Sequence, residues 1–77
     1  MTNPRIILNE LKWNKKYNLG YTDIYYIHRG APDNIKKISG AEIMDIDKSF
    51  MITKTSMIPY HRIIKISYNQ KTIFNRS

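Results

Sequence analysis

Two histidines occur in this chain, and an arginine follows each one: His28-Arg29 in "YYIHRGAP" and His61-Arg62 in "IPYHRI". A guanidinium can fork two parallel hydrogen bonds onto a phosphate. An imidazole can donate to an anion when protonated, or shuttle a proton near neutral pH. Gly30 directly follows the first pair. Glycine lets a backbone come close to a ligand and leaves its N–H available. His28, Arg29, Gly30, His61 and Arg62 are therefore the candidates for holding a phosphate. A plainer reading stands beside this one. Gly30 then only serves a turn, Arg29 pairs with an acid such as Asp23 or Glu42, and His61 lies on a sheet face with a backbone partner.

Trp13, Tyr25, Tyr26 and Tyr60 could stack nucleobases, because phosphates attract cations and bases attract flat rings. Core packing is the alternative for each tyrosine, since tyrosines also favour strands. Trp13 would then serve as core or lid. Lys36 and Lys37 are either a solvated strand surface or secondary contacts to phosphate. Met44, Met51 and Met57 are most simply core fillers.

These side chains need elements to position them. Asn3-Pro4 is a helix start, with Asn as N-cap and Pro at the first helical position. Ile7, Leu8 and Leu11 then share one stripe, while Trp13 points roughly opposite. Tyr21 to Arg29 reads as a strand. Ile24, Tyr26 and His28 would lie on one face, and Tyr25, Ile27 and Arg29 on the other. Strand parity thus sends His28 and Arg29 apart. One member of each pair could still meet at a shared phosphate if the strand ends at Gly30. The segment Gly30 to Asn34 is a turn, and Ile35 to Ile38 a short second strand. Ala41 to Asp47 is helix or strand. Ser49 to Thr55 is extended. Met57 to Tyr68 is the longest β segment, and Pro59 requires an edge, a bulge or a strand start there. Asn69-Gln70 then joins a terminal hairpin with Lys71 to Asn75. The expected class is α+β: one N-terminal helix packed on a strongly curved, mainly antiparallel sheet or small β-barrel of about five strands.

The 77 residues suit a single domain, 1–77. A net charge of +7 and a pI near 9.8 point to RNA, DNA or an anionic membrane surface as partner. The 13 Lys and Arg residues are dispersed, so any positive patch is assembled by folding. There is no cysteine, hence no disulfide or thiolate site. The histidines and acids show no metal-ligand spacing, so neither metal nor cofactor is expected. No apolar run approaches the roughly 20 residues of a membrane span. The start MTNPRIIL has neither the apolar region nor the cleavage site of a signal peptide, so a cytoplasmic protein is expected.

Four segments carry a family resemblance: "LNELKW" (Leu8 to Trp13), "YIHRGAP" (Tyr26 to Pro32), "ISGAEI" (Ile38 to Ile43) and "IPYHRI" (Ile58 to Ile63). In this order they resemble a family of small basic archaeal proteins described as an RNA cyclic-group end-recognition domain. The resemblance implies a non-enzymatic RNA-binding module for ends bearing a cyclic phosphate. It maps the family's polar motif onto His28, Arg29, His61 and Arg62, with Tyr60 beside them. Many members carry Gly-Asp after the Ala-Pro, where this chain has Asp33-Asn34. Two other readings use the same residues. A small enzyme could cleave RNA or open a cyclic phosphate with His28 and His61 as acid and base. A protein-interaction subunit of an RNA-processing complex could use an edge near Pro59 for strand addition.

Overall fold

The computed structural model describes residues 3–76. Helix α1 spans Pro4–Trp13. The Asn3 side chain accepts the Ile6 N–H at 2.9 Å, as an N-cap should. Leu8 and Leu11 are buried, and Ile7 packs beside them. At the far end Asn14 donates from its side chain to Glu10 and from its backbone to the Glu10 carbonyl.

Seven strands follow among the described residues: β1 Thr22–Ile27, β2 Ile35–Ser39, β3 Ile43–Ile46, β4 Phe50–Thr53, β5 Met57–Pro59, β6 Ile63–Tyr68 and β7 Lys71–Asn75. They form two antiparallel sheets. One has the order β2-β1-β6-β7 and the other β3-β4-β5. The α+β class stands, but the expected single curved sheet or barrel of about five strands does not. The reason lies in Met57 to Tyr68. The 3-10 turn Tyr60–Arg62 splits that stretch, so β5 ends one sheet and β6 begins in the other. Pro59 is the last residue of β5, an outer strand of the smaller sheet, where a missing N–H is tolerated.

Similar turns open other strands. Leu19–Tyr21 leads into β1, and Gly40–Glu42 leads into β3. The second settles the ambiguous Ala41–Asp47 stretch as a turn followed by a strand. Ser39 accepts the Ala41 N–H at 3.1 Å, and Glu42 accepts the Ser39 N–H at 3.4 Å. This reciprocal box explains the Ser-Gly-Ala-Glu run. Gly40 is required there, because an added Cβ would collide with the Leu19 carbonyl oxygen.

The core takes Leu8 from α1, Ile24, Tyr26, Ile38, Ile63 and Ile66 from the larger sheet, and Met51 and Ile58 from the smaller. Ile63 and Ile66 differ by an odd number, yet both face inward. A register shift against Tyr25/Tyr26 inserts one extra residue in β6 and restores the parity. Among the methionines, Met51 fills the core as expected, whereas Met44 and Met57 are exposed. Asn69 and Gln70 both take positive φ, 50° and 69°, forming the two-residue turn of the β6–β7 hairpin. No described helix is long and apolar enough to cross a membrane.

Candidate nucleic-acid interface

The expected strand Tyr21 to Arg29 stops at Ile27, so His28 and Arg29 lie in a turn and strand parity does not divide them. The His28 N–H donates to the Asn34 carbonyl at 2.8 Å and closes the loop. The Ala31 N–H donates back to the His28 carbonyl at 3.2 Å. Gly30, third in that four-residue turn, has φ 92°. A left-handed residue at this position is what a type II turn demands, and glycine supplies it without steric cost. Nothing lies within 4 Å of where its Cβ would be. Its conformation, not a close approach by other protein atoms, accounts for the glycine. Asp33 and Asn34 continue the loop with φ 55° and 56°.

His61 and Arg62 sit in the turn before β6. β1 and β6 are antiparallel neighbours with Tyr26 opposite Ile63. The end of β1 therefore lies beside the beginning of β6, and the two turns meet. Ile27, His28, Arg29, His61 and Arg62 line one open depression of about 590 Å³. Both arginines and both histidines are exposed. Among the described residues, none of the four side chains makes an ion pair. The ion pair found there joins Lys12 of α1 to Asp45 of β3 at 3.7 Å. The acid partners anticipated for Arg29 are otherwise disposed: Glu42 caps its own turn, and Asp23 forms no ion pair with it.

A second depression, about 420 Å³, adjoins the first. His28 and Arg62 border both. Its other walls include Lys36, Thr55, Ser56 and Met57. A third, about 430 Å³, lies on the other side of the turn and is bordered by His61, Tyr60, Arg5, Lys48 and Arg76. No Asp or Glu lines any of the three.

The stacking candidates fare differently. Tyr26 is only 5% exposed and belongs to the core, so no ring face is open to a base. It supports His28 instead, ring to ring at 6.1 Å and nearly perpendicular. Burial, with a smaller contribution from Glu42, raises its phenol above the usual value. Tyr60 is half-buried, and its hydroxyl donates to the Asp47 carbonyl at 2.5 Å. Its pKa is pushed up to about 12, chiefly by burial; Arg5 opposes this, and Asp47 and Asp45 reinforce it. Trp13 ends α1 at 73% exposure, so it is neither core nor lid, and it borders none of these depressions. Lys12 lies over its ring at 5.3 Å. Tyr25 is on the outer face of the larger sheet, with Lys65 over its ring at 5.1 Å. Lys36 and Lys37 separate by strand parity. Lys36, opposite Tyr26, reaches the second depression, while Lys37, opposite Tyr25, borders none of the three.

Arg5, Lys48, Arg76, Thr55, Ser56 and exposed Met57 were not anticipated. Arg5, Lys48 and Arg76 lie far apart in the sequence, and no spacing links them to one another or to Thr55, Ser56 and Met57. What fold and surface define is a small basic α+β domain with an acid-free cluster of Arg, His and Lys. The chain belongs to the family of the MJ1316 RNA cyclic group end recognition domain, whose sequence model matches residues 1–76. It is 44% identical to a UPF0248 protein of Methanococcus vannielii over 86% of this chain and 78% of that one. A UPF0248 protein of Methanocaldococcus jannaschii is 35% identical over 86% of this chain and 80% of its own. One from Archaeoglobus fulgidus is 27% identical over 90% and 99%. No solved structure matches the chain.

Proposed function

We propose that residues 1–77 act as one RNA-binding domain that captures ends carrying a cyclic or terminal phosphate. His28, Arg29, His61 and Arg62 hold the phosphate, and the neighbouring depression beside Lys36 and Met57 receives the terminal nucleoside. The observation that carries this reading is the meeting of the two His-Arg turns around one depression, with no carboxylate in its wall. Two guanidiniums without internal ion pairs can grip a phosphate by charge-assisted bonds. The family's description supports RNA ends as the ligand class. The role is binding without turnover, with no cofactor or metal, and the cytoplasm is the expected place of action.

Alanine at Arg29 or Arg62 is expected to weaken binding of RNA with a cyclic-phosphate end by about tenfold to a hundredfold. Lys71→Ala, on exposed β7 and outside all three depressions, should change affinity far less. Titration of labelled RNA at fixed salt measures this, and equal losses in all three variants would leave only a diffuse basic surface.

One observation favours a second reading: both histidines border the same depression, as acid–base opening of a cyclic phosphate requires. Turnover of a cyclic-phosphate end that disappears in both His28→Ala and His61→Ala would replace the binding module with an enzyme.

A further inference from the structure

The depression at the start of α1 is not needed to hold an RNA end, yet it has the chemistry of a phosphate site. We propose that Arg5, Lys48 and Arg76 form a second subsite for the RNA backbone, upstream of the captured end. This deepens the end-recognition reading and rests on it.

Three observations converge. First, the depression adjoins the end site, because His61 borders both. A strand leaving the end site past His61 comes to its edge. Second, its wall carries three cations and no carboxylate. Asp45 pairs with Lys12, and neither Asp45 nor Asp47 lines the depression, although both act on the Tyr60 phenol in its wall. Third, Arg76 is held in position before any ligand arrives. Its Nη1 donates to the His61 carbonyl at 2.6 Å, and its backbone N–H donates to the Ile64 carbonyl at 2.7 Å. The guanidinium also lies over the Phe74 ring at 5.6 Å. Arginine has about five N–H donors, so most remain for a phosphate. Arg76 thereby ties this subsite to the turn that carries His61 and Arg62.

The start of α1 adds to the positive potential here. Its first turn contains no acid, and the helix dipole is positive at this end. Its three cations suit phosphates, so the subsite recognises backbone charge whatever the sequence.

Together the three depressions enlist Arg5, Arg29, Lys36, Lys48, Arg62 and Arg76, six of the 13 Lys and Arg residues, and both histidines. The strand is expected to run from the Met57 side, where the terminal nucleoside sits, across the two His-Arg turns to Arg5 and Lys48.

The test compares two probes, a nucleoside cyclic monophosphate and an RNA of about eight nucleotides with the same end; the same RNA ending in a hydroxyl is the control. Affinities are measured by calorimetry for the parent, the double variant Arg5→Gln/Lys48→Ala and the single variant Lys48→Glu. Urea midpoints are recorded for each, so that a folding defect is seen as such. The subsite predicts that both variants lose at least about tenfold for the oligomer and keep their affinity for the mononucleotide. The salt dependence of oligomer binding should become shallower by about 0.7 in log–log slope for each phosphate contact removed. An unchanged oligomer affinity, or an equal loss for both probes in folded protein, overturns the subsite. A domain that binds hydroxyl and cyclic ends alike, yet loses oligomer in these variants, keeps the subsite and loses end recognition.

Discussion

Tyr60 borders the depression at the start of α1, but its side chain serves the fold. Its phenol is half-buried and donates to the Asp47 carbonyl. Burial raises its pKa from 10.0 to about 12. Below 10 the folded and unfolded chains both keep the proton. As pH rises from 10.0 towards about 12, the unfolded chain releases it first, so stability falls through that window. Tyr60→Phe should remove this part of the alkaline loss, at a cost of about 1 kcal/mol near neutral pH for the missing hydrogen bond. Urea midpoints near neutrality and in the alkaline window measure both effects. A variant that loses as much stability in alkali as the parent would contradict this account. From the sequence, Tyr60 was a stacking candidate beside a His-Arg pair. Its commitment to Asp47, 13 residues earlier, depends on a contact between elements that local pattern does not reveal.

Short turns at strand entrances decide where the chemistry lies. Local signals were legible: the Asn3-Pro4 helix start, the Asn69-Gln70 hairpin and the turn at Gly30 all have side-chain or backbone chemistry confined to a few neighbours. The break inside Met57–Tyr68 was not. A run of apolar and aromatic residues reads as one strand, and only tertiary pairing sends its halves to different sheets. Strand parity does not part His28 from Arg29 for a related reason, because β1 ends before both. The turn at Ser39–Glu42 offers a test at this scale. A Cβ at Gly40 would meet backbone, not a yielding side chain. Gly40→Ala should therefore cost about 3 kcal/mol or more, through overpacking that the Leu19 loop cannot relieve. Chemical unfolding measures it. A loss below about 1 kcal/mol would show that β3 does not depend on this close approach.

Across the whole molecule, a charge of +7 with one ion pair among the described residues leaves most cations free of carboxylates. The sequence made nucleic acid a natural partner and named both His-Arg pairs. It could not show that antiparallel pairing of β1 with β6 brings them together, nor that Arg5, Lys48 and Arg76 converge beside them. Those cations lie dozens of residues apart, and their proximity is a property of the folded topology alone. Dispersed charge by itself predicts salt-sensitive binding to any RNA. The grouping around two turns makes a narrower claim, that the chemical nature of the RNA end matters. The direct test uses two RNAs of identical sequence, one ending in a cyclic phosphate and one in a hydroxyl, titrated against the parent protein at several salt concentrations. This account predicts that the cyclic end binds at least about tenfold more tightly at every salt concentration, as a further charge-assisted contact requires. Equal affinity for the two ends would contradict it.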